Sequence, residues 1–267
     1  MKLKFFEVLF VVVLLFVATG SVYGQYDCPP PPDISSLDLD ICYHYEGCAT
    51  WSVDYRTVYP DFNGNQGCPM VVCYLIRECV IPDCPATRQI YIYHISIPED
   101  DPDCLRWLYE LFPLLEREGR RDVIDENFVG VLINACYKKL SDLLLSENMG
   151  DLTNCKPPCE ELNSCSVSFM NAIPTCTSIC YWTTTDGGGH VTNSDLYFQP
   201  CNIPEGNECC VFKINYCFCQ ADQKVRVFYD YLANPGKSED CMNASIPKCP
   251  EGIPVLYDYG CKFLCQP

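Results

Sequence analysis

Lys224-Val225-Arg226-Val227-Phe228-Tyr229-Asp230-Tyr231 sets Val225, Val227, Tyr229 and Tyr231 against Lys224, Arg226 and Asp230. This alternation is the period of two expected of an antiparallel strand with one buried face. Phe212, Ile214, Tyr216 and Phe218 repeat the pattern just upstream, and the intervening Gln220-Ala221-Asp222-Gln223 has the length of a hairpin connection. Residues 71–80 and 88–97 form a similar pair, joined by Ile81-Pro82-Asp83-Cys84-Pro85-Ala86-Thr87, whose two prolines exclude a continuing ladder. Short strands punctuated by proline and glycine predict a mainly β protein, with two related, disulfide-stapled antiparallel β-sandwich-like domains and a helical hairpin between them.

The pairing of sandwiches rests on an internal duplication. Cys28-Pro29-Pro30-Pro31 recurs as Cys155-Lys156-Pro157-Pro158, and each is followed by a tryptophan, Trp51 or Trp182. Gly64-Asn65-Gln66-Gly67-Cys68 resembles Gly206-Asn207-Glu208-Cys209, and the two strand pairs close on Asp101-Pro102-Asp103-Cys104 and Ser238-Glu239-Asp240-Cys241. Repeated spacing of this kind reads as two copies of one unit. The expected organisation is a signal peptide over 1–24, a first Cys-rich β domain over 25–104, a helical hairpin acting as insertion or spacer over 105–150, and a second Cys-rich β domain over 151–267.

The chain carries 23 cysteines, none of them in its hydrophobic leader. That density fits an exported protein whose thiols are oxidised, in an extracellular or periplasmic compartment. Lys2 and Lys4 precede an unbroken apolar run over residues 8–18, and Val22-Tyr23-Gly24 suits a signal peptidase cutting before Gln25. The run is shorter than the ~20 residues that span a bilayer. A cleaved leader is therefore expected, with no transmembrane anchor in the mature chain; an uncleaved one would tether the protein. Losing Lys2, Lys4 and Glu7 moves the net charge from −17 to −18, which disfavours nucleic acid and anionic membrane surfaces as partners.

Between the two expected copies the periodicity changes. Asp101 before Pro102 is a good helix start, with Leu105, Leu108, Leu111, Phe112 and Leu115 at helical spacing and Pro113 placed to end it. Asp122 is expected to open a second helix with the stripe Val129, Leu132, Ile133, Cys136, Leu140, Leu143 and Leu144, and Gly119 and Gly150 punctuate the two ends.

Geometry restricts the bridges. Cys73 and Cys79 on one regular strand would lie ~20 Å apart, beyond the ~4.4–6.8 Å between the Cα atoms of a disulfide. Cys217 and Cys219 share a face with parallel side chains, and Cys209 and Cys210 are adjacent, so each is expected to pair elsewhere. Residues 28–104 and 155–265 each hold an even set of cysteines, and Cys136 is left over. On an apolar helical stripe it is expected to be a buried, inert free thiol; a covalent dimer through it is the alternative.

Chemistry-bearing motifs are weak. His44, His94 and His190 are the only histidines, and none has zinc or haem spacing. The Cys-x-x-x-Cys pairs 155/159, 176/180 and 261/265 suit structural bridges better than metal in an oxidising compartment. The acidic run Glu99-Asp100-Asp101-Pro102-Asp103 lacks a calcium-loop pattern and fits helix capping. Asp186-Gly187-Gly188-Gly189-His190 reads as an exposed, flexible tip and as the candidate binding loop. Asn243-Ala244-Ser245 is a glycosylation acceptor if the host is eukaryotic. Ile90 and Ile92 alternate with Tyr91 and Tyr93, which puts apolar groups on both faces of one strand; burial under the helices is favoured over an exposed aromatic surface.

No catalytic, cofactor or metal residues are assigned. The leading expectation is a structural or adhesive protein that binds a protein or glycan surface, or itself. The alternatives are a secreted hydrolase with a cleft between the copies, and a ligand or inhibitor acting through the 186–190 loop.

Overall fold

The computed structural model describes residues 28–32, 47–61, 67–79, 87–147, 167–202, 209–219, 224–231, 241–242 and 244–264. The expected signal peptide, Gly150 and the Asn243 acceptor lie outside these residues. Among these residues there are nine strands: β1 (Ser52–Val58), β2 (Met70–Cys79), β3 (Thr87–Pro98), β4 (Val167–Pro174), β5 (Cys176–Thr185), β6 (Val191–Pro200), β7 (Cys209–Cys219), β8 (Lys224–Tyr231) and β9 (Tyr257–Phe263). Between β3 and β4 the described residues form three helices: α1 (Pro102–Leu111), α2 (Leu115–Glu118) and α3 (Glu126–Glu147).

In place of two sandwiches, the strands form one mixed sheet in the order β8-β7-β4-β3-β6-β5-β9, with β2 on β3 and β1 on β2. The exception to antiparallel pairing is β3 with β4, which run parallel from Thr87↔Ser168 to Ile90↔Asn171. Parallel neighbours need a long crossover, and α1 to α3 supply it. The helical segment is thus the connection that makes this pairing possible.

β3 is the hinge of the architecture. β2 occupies one edge from Thr87 to Ser96, so β4 at 87–90 and β6 at 94–98 must share the other. The sheet forks where they part. At the fork, the hydroxyl of Tyr137 from α3 accepts the Ile92 N–H (2.8 Å) and donates to the Ala172 carbonyl (2.8 Å). Two backbone groups that the diverging strands would orphan are thereby satisfied.

A bulge coincides with the fork. Cys73 faces His94 but Tyr74 faces Ile92, leaving Tyr93 as the extra residue. One inserted residue reverses the alternation. Ile90, Ile92, Ile95 and Ile97 consequently all join the core shared with Trp107, Leu108, Leu132, Cys136 and Leu140 of the helices. Tyr91 and Tyr93 enter a second cluster with Cys73, Leu75, Cys180, Trp182 and Tyr197, covered by Cys28, Trp51, Tyr55, Cys249, Ile253 and Val255. Both faces of β3 are buried, and among the described residues helices cover one of them.

The helix starts differ by one aspartate. Asp101 caps α1 by accepting the Asp103 N–H (2.9 Å), as the Asp-Pro pair implies. At α3 the side chain that accepts the first amides is Asp125, from Asn127 (2.9 Å) and Phe128 (3.1 Å). Asp122 instead pairs with Arg120 at 2.6 Å, where side-chain hydrogen bonding from that guanidinium lowers its pKa. Gly119 ends α2 at φ 65°, a left-handed position that favours glycine.

Six bridges join described residues: 28–73, 48–79, 68–104, 176–241, 180–249 and 201–261. Cys73 and Cys79 find separate partners, and Cys217 is also disulfide-bonded. Such bridges fit an oxidising compartment. No helix among the described residues is long and apolar enough to cross a membrane. The proposed repeats share antiparallel hairpins, β2–β3 and β7–β8. Their surroundings differ: the strand after Trp51 pairs with β2, whereas Trp182 lies on β5, beside β6 and β9.

Candidate binding groove

Two proline-rich segments from opposite ends of the chain lie over the second face of the sheet. Cys28–Cys73 ties 28–32 to β2, and Cys180–Cys249 ties 247–251 to β5. Proline offers a carbonyl but no N–H, and the sheet meets that need. The Tyr197 hydroxyl donates to the Pro30 carbonyl (3.1 Å). The Gln199 amide nitrogen donates to the carbonyls of Pro247 (3.2 Å) and Lys248 (3.0 Å). Tyr197 and Gln199 lie two apart on β6, so one strand face holds both segments.

Between the segments runs an open groove of about 310 Å³, walled by Pro30, Pro31, Pro32, Pro247 and Pro250 and floored by Tyr197, Gln199 and Pro200. Asn202, Lys248 and Glu251 are exposed at its rim. Backbone hydrogen bonds in both directions between Asn202 and Ser245 fix the floor to the C-terminal segment. Beneath it, Tyr93 packs edge-on against Tyr197 with ring centroids 5.9 Å apart, and burial pushes the Tyr93 phenol up to about 12. The groove therefore offers rigid apolar rings, the side-chain amides of Gln199 and Asn202, and a single charge of each sign. That is the chemistry of contact and hydrogen bonding.

A histidine with a charged partner exists elsewhere on this face. His94 Nε2 lies 3.1 Å from Asp195 Oδ1, both at 2 % side-chain exposure or less, and Thr184 donates to Asp195 Oδ2 at 2.7 Å. Trp182 stacks on His94 at 5.4 Å. The pair sits sealed between β3, β5 and β6, apart from the groove lining, and joins those strands. The bulge at Tyr93 is what turns His94 to this side.

The 186–190 loop is an exposed turn between β5 and β6, and it is closed by hydrogen bonds. Asp186 Oδ1 accepts from the Gly188 (2.8 Å) and His190 (2.9 Å) amides, the Asp186 N–H donates to the His190 carbonyl (2.9 Å), and Gly189 takes φ 81°. It meets one end of β6 and the groove meets the other, ~30 Å away at ~3.3 Å per residue. Cys136 carries a free thiol, fully buried, and burial pushes its pKa well above the ordinary thiol range.

The acidic run is taken up locally. Asp101 caps α1, and Glu99 accepts from Arg121 (2.7 Å) and Ser194 (2.5 Å). Among the described residues no group of three or more His, Cys, Asp or Glu is placed to hold a metal ion. Cys176 and Cys180 bond to different distant partners, Cys241 and Cys249. His44 lies outside the described residues. No protein-family model, curated protein or solved structure matches this chain.

Proposed function

We propose a secreted or cell-surface structural or adhesive protein that binds a protein or glycan surface at the proline groove. The observation that carries this reading is the groove's construction. Two bridges, Tyr197 and Gln199 hold its walls before any ligand arrives, so little ordering entropy is left to oppose binding. The outward Asn202, Lys248 and Glu251 are free to select a partner by hydrogen bonding and charge without disturbing the walls.

The test is binding of the immobilised chain to a panel of extracellular glycans and extended peptides, with rim variants. Asn202→Ala combined with Lys248→Glu is expected to weaken the selected ligand about tenfold or more, equivalent to ~1.4 kcal/mol or above. Asp186→Ala, at the far end of β6, is expected to leave that affinity unchanged. The fixed Asp186 turn favours the ligand or inhibitor reading as the alternative. Loss of binding in Asp186→Ala with no change in the rim variant would replace the groove by the turn, and chemical conversion of a bound glycan would replace binding by hydrolysis.

A further inference from the structure

The groove is rich in acceptors and short of side-chain donors. Six of the twelve residues that line it are prolines, which present carbonyls without N–H groups. Its floor spends its protons on its walls. The Tyr197 hydroxyl donates to the Pro30 carbonyl, and the Gln199 amide nitrogen donates to the carbonyls of Pro247 and Lys248. Those two carbonyls fix the orientation of the Gln199 amide, so its Oε1 and a lone pair of the Tyr197 hydroxyl remain as acceptors. The exposed Pro31 carbonyl accepts no hydrogen bond among the described residues. Asn202 and Lys248 are the side-chain donors left, and both stand exposed at the rim. Lys248 and Glu251 bring one charge of each sign, so the site as a whole is neutral.

We propose that the groove takes the end of a neutral, polyhydroxylated glycan, one without carboxylate or sulfate, an inference that rests on the groove being the binding site. A sugar hydroxyl turns its proton to whichever acceptor faces it and still accepts from Asn202 or Lys248. The C–H face of a pyranose ring lies on the proline rings. A peptide meets these walls less well. Adding a peptide strand to a protein edge needs alternating N–H and C=O groups, and prolines lack the first. A proline-rich peptide would set carbonyls against carbonyls. Acidic sugars are opposed by the net charge of −17 and by the Glu251 carboxylate. The volume of about 310 Å³ lies at the lower end of small-ligand sites, ~300–1,000 Å³, which suits the end of a glycan rather than a long stretch of one.

Titration calorimetry of the disulfide-bonded chain tests the ligand class with neutral oligosaccharides of glucose, mannose, galactose and N-acetylglucosamine, with the same backbones bearing sulfate or carboxylate, and with proline-rich and extended peptides. A neutral oligosaccharide is expected to bind, and its acidic counterparts to bind about tenfold or more weakly. Analogues of the bound sugar with one hydroxyl at a time replaced by fluorine keep its outline and lose one proton; at one position or more a loss of about tenfold is expected. The Asn202→Ala/Lys248→Glu variant, with circular dichroism identical to wild type, reports whether the sugar sits in the groove. A peptide that binds wild type and not this variant, with no neutral sugar bound, would overturn the glycan and leave the groove standing. Acidic sugars bound as tightly as neutral ones, or fluorinated analogues undiminished at every position, would also overturn the glycan class. A neutral sugar bound equally by variant and wild type, or no binding in any set, would remove the groove reading and this inference together.

Discussion

Full reduction of the bridges at neutral pH and room temperature is expected to unfold the protein without added denaturant. The six bridges joining described residues close loops spanning 31 to 69 residues of sequence separation. Each such closure removes freedom from the unfolded chain and contributes ~2–4 kcal/mol. Their combined contribution approaches or exceeds the whole margin of a typical domain, ~5–15 kcal/mol. Three of them, at Cys241, Cys249 and Cys261, fasten the C-terminal segment to β5 and to the end of β6. That segment has little core of its own, since Met242, Ile246 and Leu256 are all more than half exposed. Near-ultraviolet circular dichroism of the tyrosines and tryptophans, before and after reductant, checks the expectation. A reduced sample that keeps its signal and a cooperative melt near the original temperature would show that packing alone suffices.

Tyr137→Phe, a single-atom deletion on α3, is expected to destabilise the sheet strongly. The hydroxyl serves Ile92 N–H and Ala172 C=O at the fork, both at 2.8 Å, and Tyr137 is fully buried. Its removal leaves two backbone groups without partners, at ~1–3 kcal/mol each, so a loss of about 2–6 kcal/mol is expected. Urea titration should move the midpoint with an unchanged slope. A change below about 1 kcal/mol would mean that β3 and β4 can close on each other without the helix, and that the fork is not held by this hydroxyl.

The antiparallel pairing of β7 with β8 was legible in the alternation of β7, where Phe212, Ile214 and Tyr216 are buried, but the alternation of β8 does not mark a buried face, since Val227 and Tyr229 are 38 % and 44 % exposed on an outer strand. The α1 start was equally legible in Asp101-Pro102, where capping chemistry is local. The α3 start was misplaced because Asp122 and Asp125 are both capping residues three apart, and only the tertiary pairing of Arg120 with Asp122 separates their roles. β3 resisted reading for a different reason. Its isoleucines and tyrosines alternate across a bulge, which cancels the period of two, and burial on both faces removes the contrast that periodicity needs. Parallel pairing with β4 depends on the helical crossover and has no local signature. The groove and the His94–Asp195 pair were invisible for the same cause: their members lie 48 to 167 residues apart in sequence. Bridge connectivity, which builds the walls, does not follow from cysteine positions.

Bridges from β2 and β5 place two proline segments over one forked sheet and leave Cys136 outside the framework. Peptide mapping of the non-reduced protein by mass spectrometry tests it most directly. Linked peptides are expected to join Cys28 with Cys73 and Cys180 with Cys249, and Cys136 is expected to be alkylated only after denaturation, because its thiol is buried and protonated. Cys28 or Cys249 linked to any other cysteine would remove a wall of the groove, and Cys136 found in a bridge would contradict the framework itself.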